Sequence, residues 1–162
     1  MSEKSVFFDS ADGDVREYSS ADMAAVLSGI AKNGVLDGLE VTVPSDSSGA
    51  VISAGKAIIN GYVYILDESK TLAADAGEYR RDRIVLRLDT ENKEIVTAFK
   101  PKDSDNTANE ISLAVVEVQT SGAVTSASDA RTFSFHNPII YGTSAPRSTR
   151  GIDGDIYIQY ES

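Results

Sequence analysis

The sequence predicts a mainly β fold: a β-sandwich or distorted barrel with one short N-terminal amphipathic helix and an extended C-terminal tail that ends in a strand. Short runs of alternating apolar and polar residues recur along the chain, separated by turn-forming Asn, Asp and Gly. One segment, at about 20–33, has the apolar spacing of a helix. The final segment, 137–162, is rich in Pro, Gly and Ser before a last alternating run.

The predicted helix begins at Ser20, a residue type that favours the N-cap, and ends at the stop signal Asn33-Gly34. Asp22 in its first turn interacts favourably with the helix dipole. Its apolar face consists of Met23, Val26, Leu27 and Ile30. A helix of about three turns is not stable alone, so we expect this face to pack on the sheets. Residues 6–18, before the helix, predict an extended piece with a turn at 12–14.

Strands are predicted at 39–43, 50–53, 56–66, 82–89, 94–100 and 111–119. Asn60-Gly61 divides the third of these into a hairpin. Both faces of the strand after that turn are apolar, so we expect it to lie between two layers. Residues 121–130 are small and polar, which predicts a loop or a short helical turn.

The chain divides into a β-rich core domain, 1–136, and an extended tail, 137–162. Pro138 and Pro146 favour an extended linker in the tail. The predicted terminal strand consists of Ile156, Tyr157, Ile158, Gln159 and Tyr160. Because an isolated strand is not stable, it should pair with the body of the domain, a neighbouring subunit or another protein. We therefore expect these five residues to bind a partner.

Composition narrows the classes of function. The chain has 25 Asp and Glu against 15 Lys and Arg, a formal charge of −10, which argues against nucleic acid and anionic membranes as partners. It has no cysteine, and hence neither disulfides nor a thiolate metal site. The polar, acidic start lacks the features of a signal peptide, and no apolar run is long enough to span a bilayer. We expect synthesis in a cytoplasm.

The residues do not suggest catalysis, and we expect no cofactor and no metal. His136 is the only histidine, and no nucleophile elbow accompanies it. Acidic turns occur at Asp9, Asp12 and Asp14 and again at Asp153 and Asp155. Neither matches a calcium-binding EF-hand loop, and Asp and Gly are common turn formers, so we interpret both as turns.

The only concentration of basic residues comprises Arg80, Arg81, Arg83 and Arg87. A nucleic-acid site would require more cations and stacking aromatics. Alternation places Arg83 and Arg87 on one strand face, where we expect cross-strand carboxylates to pair with them.

Three motifs in order characterise the chain: 34–38 (GVLDG), 55–62 (GKAIINGY) and 81–89 (RDRIVLRLD). The chain resembles the N-terminal modules of tail and baseplate proteins in phages and prophages of Gram-positive bacteria, over most of residues 5–120. The segment 142–160 is similar to one found in phage fibre proteins. This resemblance implies a virion structural protein of the tail tip or baseplate, a homo-oligomer, with a trimer favoured, that attaches fibres or receptor-binding proteins. Related modules often precede a longer fibre region; this sequence ends at Ser162, which favours an adaptor role.

Two alternatives stay open. A carbohydrate-binding module or adhesin could share the β fold and bind host-surface glycans through Tyr62, Tyr64 or Tyr79. An enzyme, such as a polysaccharide depolymerase, would need two carboxylates across a sugar, and an acidic sequence cannot exclude such a pair.

Overall fold

The structure is a computed structural model that describes residues 18–134, 139–143 and 156–160. These residues are mainly β, with helix α1 at Ser20–Ile30 and several antiparallel sheets, which confirms the predicted class at this level. The strands are β1 (Gly34–Gly38), β2 (Val41–Thr42), β3 (Ala50–Ile52), β4 (Gly55–Ile59), β5 (Tyr62–Leu66), β6 (Lys70–Leu72), β7 (Arg80–Asp89), β8 (Glu94–Pro101), β9 (Glu110–Val118), β10 (Val124–Asp129), β11 (Ile139–Gly142) and β12 (Ile156–Gln159). The extended piece and turn predicted before the helix lie outside the described residues, Tyr18 excepted.

Three antiparallel sheets share one hydrophobic core. Their strand orders are β1-β4-β5, β2-β3-β6 and β10-β9-β7-β8. Each sheet contributes fully buried side chains to one cluster, for example Ile59, Ile52 and Leu86. A separate two-stranded sheet pairs β11 with β12 in parallel.

The four-stranded sheet is built as the alternation predicts. Ile84 and Leu86 are fully buried and Leu88 is 7% exposed, so one face of β7 lies in the core. β7 pairs with β8 on one side and β9 on the other. Val85, on the opposite face, is buried as well. The prediction of a loop at 121–130 is wrong, because β10 pairs with β9 there. Small polar residues lack a strand pattern, and pairing with a long neighbour supplies the stability instead.

The predicted hairpin at Asn60-Gly61 is present. Asn60 has φ of 50° and Gly61 has φ of 81°, and positive φ at both central residues is the geometry that two-residue hairpins favour. The expectation that β5 lies between two layers is wrong. Val63 is 46% exposed and Ile65 is 55% exposed, so one face of the strand is covered and the other is largely open.

The helix is shifted and docked differently from the prediction. Its N-cap is Ser19, which forms a capping box with Asp22, and it ends at Ile30 with Ala31 extended. Met23 and Ile30 are 42% and 68% exposed, whereas Val26 and Leu27 are half-buried, so only part of the predicted apolar face is covered. The fully buried helix residue is a small one, Ala24, which packs against the β4–β5 turn.

The predicted strand at 39–43 is also shorter than expected. Leu39 is fully buried with φ of 57° and lies between β1 and β2, so the chain turns where alternation alone predicted extension.

Residues 132–134 cover the free edge of β1. Val35 N–H donates to Thr132 O at 2.8 Å, and Ser134 N–H donates to Val35 O at 2.9 Å. The sheet β1-β4-β5 therefore has one edge covered by 132–134, and β5 forms its other edge.

Candidate binding cleft and assembly edges

A cleft of about 570 Å³ lies beside β5. It lies between β5, the start of α1 and the turn end of the β7–β8 hairpin. Its lining residues are Ser20, Tyr62, Val63, Tyr64, Ile65, Leu88, Asp89, Thr90, Lys93, Glu94 and Ile95. The cleft therefore separates the edge of one sheet from the end of another.

The cleft runs along the backbone of β5. Four consecutive residues, 62–65, line it, although successive side chains on a strand point to opposite faces. β5 pairs with β4 on one side only, and within the described residues its other side has no strand partner. We call this side the open edge. Unpaired backbone N–H and C=O groups on such an edge are a template for another strand.

The polar rim of the cleft comes from the β7–β8 turn. Asp89 accepts hydrogen bonds from the backbone N–H groups of Asn92 at 2.9 Å and Glu91 at 3.0 Å, and from the Asn92 side chain at 2.9 Å. These bonds, those from Asn92 foremost, lower the pKa of the Asp89 carboxyl. Asp89 is thus a turn-forming carboxylate. Lys93, beside it, makes no ion pair with another described residue.

Two of the three predicted glycan-contacting tyrosines lie in the cleft, and the third lies elsewhere. Tyr62 and Tyr64 line the cleft, but both are partly buried and pack against the core. Burial raises the pKa of the Tyr64 hydroxyl. Tyr79 is 54% exposed and does not line the cleft. Within the described residues, the cleft has no exposed aromatic pair on which a sugar could stack.

Arg80, Arg81 and Arg83 of β7 contact other residues of the same chain. Arg80 pairs with buried Asp82 at 2.7 Å, and Arg81 approaches Glu117, its cross-strand neighbour, at 3.9 Å. Arg83 instead donates to the Asn106 side chain and the Ser104 carbonyl. The expectation of a carboxylate partner for Arg83 is wrong, because the loop after β8 folds back over it and offers neutral acceptors.

The carboxylate that lies opposite Arg87 pairs with a different residue. Arg87 is exposed and lies opposite Glu110 in the β7–β9 register. The Glu110 side chain, 4% exposed, pairs with Lys100. Burial alone would raise the pKa of Glu110, but the hydrogen bond and charge of Lys100, with the Thr107 N–H, outweigh it and lower that pKa. This pair ties the loop 102–109 to the sheet, which is a structural role.

The predicted partner-binding residues form β12, and their partner in the structure is β11. Ile156, Tyr157, Ile158 and Gln159 pair in parallel with residues 139–142, and Tyr160 follows the strand. The predicted linker thus contains a strand, and pairing occurs inside the tail. Ile158 is 49% exposed and Tyr160 is 50% exposed. Only one side of β12 is paired within the described residues.

Several sequence candidates lie outside the described residues: His136, Asp9, Asp12, Asp14, Asp153 and Asp155. Among the residues that are described, no group of three or more His, Asp or Glu side chains is arranged to hold a metal ion. No described helix is long and apolar enough to cross a membrane.

Comparisons with known proteins found no match to a protein-family model, to a curated protein or to a solved structure. The candidate sites therefore depend on this chain's own geometry. Sequence reasoning missed the open edge of β5, although a signal was present. Val63 and Ile65 make both faces of that strand apolar, which is compatible with burial between layers and equally with an uncovered binding face.

Proposed function

We propose that the chain is a structural subunit of a bacteriophage tail tip or baseplate, an adaptor that joins fibres or receptor-binding proteins to the tail. The resemblance of its ordered motifs to phage modules supports the assignment. These motifs map onto β1, the β4–β5 hairpin and β7, which belong to two of the three sheets around the core. The proposal includes a homo-oligomer, with a trimer favoured, located in the virion, and assigns no reaction to the chain.

One observation carries the proposal beyond resemblance: two strands present apolar side chains beside an unpaired edge. They are β5, with Val63 and Ile65, and β12, with Ile158; exposed Tyr160 directly follows β12. An exposed apolar strand edge promotes unwanted aggregation in a solitary protein and is a joining surface in an assembly. We further propose that the three sheets form a distorted barrel that is open at the cleft beside β5.

The test of the assembly role is removal of β12. Deleting residues 144–162 removes this strand and keeps β11, so the core should stay folded while the oligomeric mass falls. Multi-angle light scattering measures the mass, and circular dichroism checks the fold. Tyr160→Asp in the full-length chain should also lower the mass, whereas Ile30→Asp, at a helix residue that is 68% exposed, is the matched control. An unchanged mass in the truncated chain would refute the assembly role.

The virion location has its own test. Antibodies against the protein should label tail tips in negative-stain micrographs of induced phage particles. Labelling on the capsid, or particles without label, would contradict the assignment.

The cleft also favours a second candidate, a glycan-binding module. Its volume of about 570 Å³ lies within the range of small-molecule sites, roughly 300–1,000 Å³. The packed positions of Tyr62 and Tyr64 weigh against it. Glycan-array binding by the purified protein, abolished by Lys93→Ala, would favour this candidate, and a clean negative with stable oligomers would favour the adaptor.

A further inference from the structure

We infer that β12 of one copy docks along the open edge of β5 in a second copy. The sheet β1-β4-β5 would then continue through β12 and β11 of the neighbour. This inference rests on the proposed structural role and deepens it, because it names the surface that receives the tail strand and identifies the partner as a second copy of this chain.

The open edge of β5 and the unpaired edge of β12 are similar in length, and each lacks a strand partner within the described residues. β5 has five residues and β12 has four. Each is paired on one side and has no strand partner on the other within the described residues. Pairing them would satisfy the backbone groups that both edges present to solvent, which is the principle of β-strand addition.

The apolar side chains match as well. Val63 and Ile65 are two residues apart on β5, and Ile158 and Tyr160 are two residues apart along the tail strand. All four are at least 46% exposed. Since side chains repeat every second residue on a strand, Val63 and Ile65 lie on one face of β5. Side-by-side strands with the apolar faces aligned would bring Ile158 into lateral contact with Val63 and Ile65 on one face of the extended sheet.

The contact has a consequence for assembly. β5 and β12 are different surfaces, so their pairing is heterologous, and such contacts close into rings when the rotation permits. A closed trimer would use every open edge and every tail strand once.

Disulfide trapping tests the contact cleanly because the chain has no cysteine. Two single variants, Val63→Cys and Ile65→Cys, are each mixed with Ile158→Cys carried on a size-tagged chain. Facing residues on paired strands lie about 4.5–5.5 Å apart between Cα atoms, within disulfide range. A mixture of single variants can be linked only between copies. Ile30→Cys, at a more exposed helix position, is the matched control.

A covalent heterodimer from at least one β5 variant, about tenfold or more above the Ile30→Cys control, is the expected result for strands held in register. Equal yields with the control, no heterodimer, or linkage only within a single chain of the double variant Val63→Cys/Ile158→Cys would overturn the inference. Its failure is distinguishable from that of the adaptor proposal. If truncation at residue 144 lowers the mass while no cross-link forms, the assembly role stands and this docking site is wrong.

Discussion

The substitution Gly61→Ala, which adds one methyl group, should test how the helix packs on the sheets. Gly61 is the second residue of the β4–β5 turn, with φ of 81°, and it touches the backbone of α1. A Cβ atom there would lie 2.5 Å from the carbonyl carbon of Ala24 and 2.7 Å from its Cα. Carbon atoms normally approach to about 3.5–4.0 Å, so Gly61→Ala forces the helix away from the turn.

The expected cost has two parts. A non-glycine residue in the left-handed region costs about 1–2 kcal/mol. Overpacking a well-packed contact costs about 1–3 kcal/mol more. The free energy of unfolding should therefore fall by about 2–5 kcal/mol, a large share of the roughly 5–15 kcal/mol typical of a domain.

Urea denaturation followed by circular dichroism measures this change, and Gly29→Ala is the control. Gly29 lies in the same helix, and an added Cβ there meets nothing within 4 Å. That substitution should stabilise the protein by about 0.5–1 kcal/mol through higher helix propensity. A Gly61→Ala protein as stable as the wild type would show that the helix does not pack on the turn as described.

Two further predictions concern polar contacts. Glu110→Gln should lower stability by about 1–3 kcal/mol at neutral pH, because Lys100 loses a buried, charged partner. The folded-state pKa of Glu110 lies below its ordinary value of 4.5, so the contribution of Glu110 to stability is complete above that pH and is lost as the pH falls through the folded pKa. The difference in unfolding free energy between wild type and variant should therefore disappear in acid, and a constant difference would refute this. The Asn33 side chain accepts a hydrogen bond from the Asn60 N–H at 2.7 Å and donates to the Asn60 side chain and the Ala108 carbonyl. Asn33→Ala should therefore lower the free energy of unfolding by about 1–2 kcal/mol in thermal unfolding. An unchanged Tm would show that these contacts do not stabilise the fold.

Local rules predicted the features that depend on neighbouring residues alone. The Asn60-Gly61 hairpin follows from backbone preferences of two residues, and the buried face of β7 follows from alternation at Ile84, Leu86 and Leu88. The same rules failed where a distant contact decides. β10 is a strand because β9 pairs with it, and its own residues have no strand pattern.

The candidate site shows the same division. Alternation predicts the tail strand as a binding element, but it does not predict the partner β11, because residues 139–142 adjoin Pro138 in a segment with the composition of a linker. The open edge of β5 was missed for a different reason. Exposure of Val63 and Ile65 depends on which sheet faces the strand, and no local pattern records that.

The sequence by itself determined the class of the protein: mainly β, one short helix, an acidic chain whose last strand alternates. These properties arise from residue type and period, which act over a few positions. Only the tertiary structure decided that the helix docks through Ala24 and not through Met23 and Ile30, and that β5 keeps one edge open beside a cleft. Burial is set by what packs opposite a residue, and chain neighbours do not supply that information.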